Sequence, residues 1–158
     1  MLAMLRDLVA HKGHANAALL TAVGQDERAA ADREIVDLLN HILVANRFWV
    51  CAVRRVPFGP DEGASRSWGA LVAAFQATHD EEVAWLRSAT ETDCAAVLEH
   101  PLIPGGQCSA AQAYLQVCLH SQGHRAQLAK LLRRHDVLPP QTDFVVWLTS
   151  RPAPEWPL

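Results

Sequence analysis

The stretch YLQVCLHSQGHRAQLAKLLRRHD, residues 114–136, decides how the chain is read. Leu, Ala, Gln, Lys and Arg dominate it and no Pro interrupts it, so its residues favour one long helix. Near its middle, His120 and His124 stand four residues apart. Residues i and i+4 lie one above the other on a helix face, with Cβ atoms about 6 Å apart, so two imidazoles can reach one metal ion without bending the backbone. Val117, Leu128 and Leu131 continue that face as apolar residues, and the pair is therefore expected to point inward. Buried imidazoles are costly unless their nitrogens are satisfied, and a bound metal would satisfy them. With eight His in the chain the spacing alone is a weak signal. A third ligand, and a fold to hold it, are needed.

Working outward, Ser109 and Gln112 form an S-x-x-Q capping box that starts this helix. Leu138, Pro139 and Pro140 end it. The preceding residues 90–108, TETDCAAVLEHPLIPGGQC, hold two Pro, two adjacent Gly and no clean periodicity. They read as a long connection with a short helical turn at Ala95 to Glu99, and loops of that length are uncommon unless they have a job such as covering a site. Residues 3–23 read as a first helix with Leu5, Leu8, Val9, Leu19, Leu20 and Val23 inward and Gly24 as a stop. His11 and His14 lie three apart on it and read as solvated or cavity-edge residues rather than ligands.

Asp26 caps a second helix that runs to about Arg55. Ile35, Leu38, Leu39, Ile42, Ala45, Phe48, Trp49 and Ala52 form its apolar stripe. His41 interrupts that stripe between Leu38 and Ala45, with Glu34, Asp37 and Asn40 as available hydrogen-bond partners. Pro57, Gly59 and Pro60 end the helix, and residues 56–65 form a loop. Ser65 or Ser67 caps a third helix carrying Trp68, Leu71, Val72, Phe75, Val83 and Leu86. His79 falls close to its inward edge, and Asp80, Glu81 and Glu82 read as a solvated face. Thr142 or Asp143 caps a short fifth helix, Phe144 to Thr149, and Trp147 and Trp156 suggest that the tail packs back on the rest. Repeats and strand-like alternation are absent from the sequence. The expected fold is all-α, one domain over residues 1–158, with four main helices in a bundle and a short fifth helix.

The formal net charge is −3 and no Lys/Arg stripe forms, which argues against a nucleic-acid partner. No apolar run approaches the roughly 20 residues of a membrane span, so no membrane partner is expected. The first residues carry charges and no small-residue cleavage site, and a cytoplasmic protein is expected. Cys51, Cys94, Cys108 and Cys118 show no CxxC spacing and are expected as reduced thiols. Cys118 projects from a different side of the helix than His120 and is not read as a ligand.

With the helices placed, HSQGHRAQL at 120–128 resembles the H-x-x-x-H-R-x-Q motif of the DinB/YfiT-like metalloenzyme family. NHILVANRFW at 40–49 looks like that family's helix-borne His followed two turns later by an aromatic pair. DVLPPQTDFVVWL at 136–148 resembles its exit from the last long helix, and HANAALL at 14–20 its first helix. The likeness covers about residues 3–150, with one departure: His14 stands where the first helix often carries an aromatic. The resemblance implies a four-helix bundle with a crossover between the second and third helices, and a metal site of His41, His120 and His124 opening to a pocket.

By position, Asp37, Gln116 and Gln127 are the candidates to hold the second ring nitrogens of these imidazoles, and His79 and Trp49 are candidates for the pocket. Three neutral imidazoles suit a divalent ion, zinc or nickel first, with open positions for water or substrate. The resemblance further implies a small-molecule substrate, with a low-molecular-weight thiol as the activated group in a transferase, or water in a hydrolase, and a homodimer. Two rival readings are a non-catalytic stress-response bundle that binds metal or a small ligand, and a structural bundle with hydrogen-bonded core histidines.

Overall fold

The computed structural model describes residues 1–100, 103 and 105–157. Among these residues the elements run α1 (Leu2–Gly24), α2 (Glu27–Ala31), α3 (Arg33–Arg54), α4 (Trp68–Ser88), α5 (Glu91–Ala95), β1 (Val97–Glu99), β2 (Gln107–Ser109), α6 (Ala110–Arg134) and α7 (Phe144–Trp147). The fold is all-α, with one small hairpin among the described residues.

Three boundaries differ from expectation. The helix expected from Asp26 to Arg55 is broken at Asp32, whose backbone is extended (φ −71°, ψ 113°) and whose carboxylate accepts from the Glu34 backbone N–H. An Asp side chain competes for nearby backbone donors and so favours a cap over a helix interior. The turn expected at Ala95 to Glu99 lies earlier, at α5, where Thr90 and Asp93 form a capping box. Val97–Glu99 instead pairs antiparallel with Gln107–Ser109. Gly105 and Gly106, at φ 80° and 82°, supply the left-handed backbone this turn requires; Pro101, Leu102 and Pro104 of the same connection lie outside the described residues. The last helix ends at Trp147 rather than Thr149. The Ser109–Gln112 capping box forms as read.

The four long helices make the bundle, with α1 and α3 each packed against both α4 and α6. Arg66, just before α4, donates to Asn40 near the start of α3, while Arg54 at the end of α3 pairs with Glu81 in the second half of α4. Helices α3 and α4 therefore run parallel, and the connection between them returns along the bundle as the expected crossover. Arg47 straps it down through Glu62 at 2.9 Å and also holds Glu81 at 3.0 Å. By the same logic Arg6–Leu86 and Gly24–Trp68 set α1 antiparallel to α4, and Glu34–Arg134 with Asn46–Ser121 sets α3 antiparallel to α6.

The interior has three layers. Leu19, Leu20, Ile35, Leu39, Leu71, Phe75, Leu128 and Leu132 form one apolar cluster, covered by Trp68 and Trp156. Leu5, Val9, Val53, Leu86, Cys94, Ala113 and Tyr114 form the second, at the hairpin end. Between them lies a buried polar layer: Lys12, Asn16, Asn46, Thr78, His79, Glu82, Ser121 and Arg125. Asp80 is exposed, but Glu81 is half-buried against Arg47 and Arg54 and Glu82 is fully buried, which corrects the solvated-face expectation. Its carboxylate accepts from Lys12 Nζ at 2.5 and 2.6 Å. The tail packs back: Trp147 is buried and its Nε1 donates to the Pro152 carbonyl. One helix among those described, α3, is long and apolar enough by composition to cross a membrane; here its apolar stripe is bundle core.

Candidate metal centre

Helix α3 presents His41, and α6 presents His120 and His124. The three rings offer nitrogen atoms that all lie within 4.8 Å of one another. His120 Nε2 is 3.2 Å from His41 Nε2 and 3.1 Å from His124 Nε2. A ring nitrogen carries either one proton or one lone pair, so His120 Nε2 cannot make two linear hydrogen bonds at once. Three lone pairs converging on one cation satisfy all three atoms. Two imidazoles on a tetrahedral ion at 2.0–2.1 Å are separated by about 3.3 Å, close to the spacing seen. The residues present fit a divalent ion.

The site sits at the edge of the bundle, not inside it. His120 and His124 are half-buried and His41 is exposed, which corrects the inward expectation. The buried face of α3 runs through Ile35, Leu39, Ile42, Leu43, Asn46 and Val50. Leu38, His41 and Ala45 lie one residue, about 100°, to its side, and that rotation turns the imidazole to the α3–α6 seam. A groove of about 540 Å³ opens along this seam beside His41, with Leu38 and Leu131 as apolar lining and Asp37, Gln127, Lys130 and Arg134 as polar lining.

Electrostatics favour the neutral form of His41 and His120. Burial lowers the pKa of His41, with the neighbouring charge of His124 adding to it. Burial, then His124 and His41, push His120 down to about 4. Neutral imidazole is the form that binds a cation. His124 is oriented from behind, since its Nδ1 donates to Gln127 Oε1 at 2.9 Å, which leaves the Nε2 lone pair facing the other two rings.

The other candidates divide. Gln127 stands where the spacing puts it. Gln116 is exposed and forms no hydrogen bond to His120, whose Nδ1 has no partner among the described residues. Asp37 lines the groove but its carboxylate pairs with Arg33 at 3.4 Å, not with His41. Asn40 accepts from Arg66. His79 is not with the triad: it is buried on the α1–α4 side, beside Glu82, Gly13 and Trp156. Trp49 packs against the hairpin-end cluster and Phe48. His11 is buried rather than solvated, its Nε2 2.8 Å from the Thr142 carbonyl, and His14 lines a separate surface pocket. Cys118 is buried, and burial pushes its thiol up to about 11, far from a ligand thiolate. Spacing points to no role in the site for Lys130 and Arg134, which line the groove, or for the buried Asn16, Asn46, Ser121 and Arg125. For the two Asn the signal was present, as amides set into apolar stripes.

Comparison with known proteins gives one result. The family model described as the DinB superfamily matches residues 15–128 of the 158, a span that holds all three histidines. No curated protein and no solved structure matches the chain. With an all-α bundle, a three-imidazole cluster on its second and fourth long helices, and a family match over well more than half its length, the chain belongs to the DinB superfamily.

Proposed function

We propose that this protein is a metal-dependent transferase or hydrolase whose three histidines hold a divalent ion, zinc or nickel. The observation that carries the proposal is the convergence of three ring nitrogens beside an open groove lined by His41. A divalent ion held by imidazoles and open to solvent lowers the pKa of a bound thiol or water, giving a nucleophile near neutral pH. The protein's own part is positional. Gln127 fixes the ring of His124, burial and then the neighbouring imidazoles hold His120 in its neutral form, and the groove offers an apolar wall at Leu38 and Leu131 for the rest of a small substrate. Lys130 has no ion-pair partner among the described residues and stands in the groove to meet an acidic group, such as the carboxylate of a low-molecular-weight thiol.

We also propose a single domain in the cytoplasm, acting as a homodimer and without nucleic acid or membrane as partners. Support for a dimer comes from the exposed apolar residues Met4, Leu115 and Leu119 on α1 and α6. Light scattering across concentrations tests it. The test of the site is elemental analysis: wild type carries one ion per chain, and His120→Ala carries none. Unchanged metal in that variant refutes the site. A screen of thiols with electrophilic acceptors then tests turnover. A non-catalytic binding role is favoured by one observation, that no carboxylate hydrogen-bonds any of the three rings among the described residues; it predicts metal uptake without turnover.

A further inference from the structure

Ligands drawn from two helices meet only if those helices hold one register. A slip of one residue moves a side chain about 1.5 Å along the axis, whereas metal–ligand distances tolerate about 0.2 Å. Apolar packing is non-directional and accepts repacking, so it does not choose a register by itself. Two directional contacts lie at the level of the triad. Ser121, which follows His120, is 0 % exposed, and its Oγ donates to Oδ1 of Asn46, 2 % exposed, at 3.1 Å. Arg125, which follows His124, is 3 % exposed and donates through Nη1 to Asn16 Oδ1 on α1 at 3.1 Å and through Nη2 to Gln122 Oε1 at 2.7 Å.

The pattern along α6 is therefore ligand then interior contact, twice: His120–Ser121 and His124–Arg125. Successive residues differ by about 100° around a helix, so each pair sends one side chain to the seam and the next into the bundle. Asn46 lies five residues beyond His41 and reaches the interior of the same α3–α6 seam. In a slipped register these buried groups would lose their partners, an outcome strongly disfavoured away from water. We propose that the Asn46–Ser121 and Asn16–Arg125 contacts are positioning contacts, which set the register of α3, α6 and α1 in which His41, His120 and His124 converge. This rests on the triad being the metal site proposed above.

The test replaces both members of one contact by apolar residues, Asn46→Leu with Ser121→Ala, and exchanges them in a second variant, Asn46→Ser with Ser121→Asn. Zinc affinity is read by competition with a chromophoric chelator, melting temperature in excess chelator, and the imidazole ¹H–¹⁵N spectrum in metal-free protein. The apolar pair is expected to melt within a few degrees of wild type yet bind zinc at least about tenfold more weakly. The exchanged pair, which keeps the hydrogen bond, should recover most of the loss. Replacing Lys12 and Glu82 together by Met and Leu, a buried pair on α1 and α4, should leave zinc affinity unchanged. Equal zinc affinity in the apolar pair and wild type overturns the proposal. If wild type takes up no zinc, the metal reading fails on its own, and the spectrum decides the register: one set of His41, His120 and His124 signals in wild type and several sets in the apolar pair support it, while one unchanged set in both overturns it. Should the apolar pair fail to fold, Ser121→Ala alone takes its place in both measurements.

Discussion

Among the polar side chains that interrupt the apolar stripes of this bundle, two groups have opposite characters. At the α3–α6 seam, His41, His120 and His124 turn their nitrogens toward one another beside an open groove, with His120 Nε2 set between the other two. On the α1–α4 side, Lys12, His79 and Glu82 are sealed, and Lys12 and Glu82 satisfy each other's charge. The first group would be satisfied by a cation from outside; the second carries its own. Polar residues in an apolar stripe thus mark a ligand site only when their mutual hydrogen bonding does not close and solvent can reach them.

The largest expected effect breaks the sealed group. Glu82→Leu leaves Lys12 charged and unpaired in the interior, and should cost about 3–5 kcal/mol. That lowers the melting temperature by about 10 °C. Adding Lys12→Met should return stability to within about 1 kcal/mol of wild type in urea unfolding. A single variant as stable as wild type would mean the pair is not buried as seen here.

Next in size is a pH effect. Burial, with the Lys12 charge adding to it, lowers His79 to about 4 from an ordinary 6.5. The unfolded chain binds the proton first, so the contribution is fully present above pH 6.5 and is lost as pH falls toward 4. The slope is about 1.4 kcal/mol per pH unit, about 3 kcal/mol in all. His120 titrates in the same direction. Urea unfolding at pH 7 and pH 4.5 should show a clearly smaller acid loss in His79→Gln than in wild type.

The open group should respond to metal instead. Zinc at a hundredfold excess over its dissociation constant stabilises the chelator-treated protein by about 2.7 kcal/mol. In His124→Ala that gain should vanish while stability in chelator changes by less than about 1 kcal/mol. A large loss in chelator would show the histidine to be a core residue. The smallest effect sharpens the comparison: Gln127→Ala should weaken metal binding by about tenfold, and Gln116→Ala should leave it unchanged in the same competition assay.

The fate of these two glutamines shows what the chain makes legible. Spacing places both Gln116 and Gln127 within a turn of a ligand. Helical side chains lean toward the N-terminus, so Gln127 reaches back to His124 while Gln116 leans away from His120. The four long helices and the convergence of His41 with His120 and His124 follow from periodicity and from the resemblance of two helical segments to one family. Lys12–Glu82 does not, because its partners are far apart in the chain and Glu82 sits in an acidic run that reads as surface. The break at Asp32 hides inside an Ala-rich charged run that otherwise favours helix. The hairpin strands are three residues each, too short for alternation to register.

Asp32 has a consequence beyond ending a helix. Its carboxylate lies 2.7 Å from His135 Nε2, and Glu34 pairs with Arg134 at 3.0 Å, so the start of α3 is riveted to the end of α6. Farther along, toward the hairpin, the two helices meet through apolar side chains beyond Asn46 and Ser121. The pair therefore behaves as a clothes-peg, sprung at one end and free to gape at the other. Amide exchange should be slower through residues 35–43 than through 110–118, and thermal opening should begin at the hairpin.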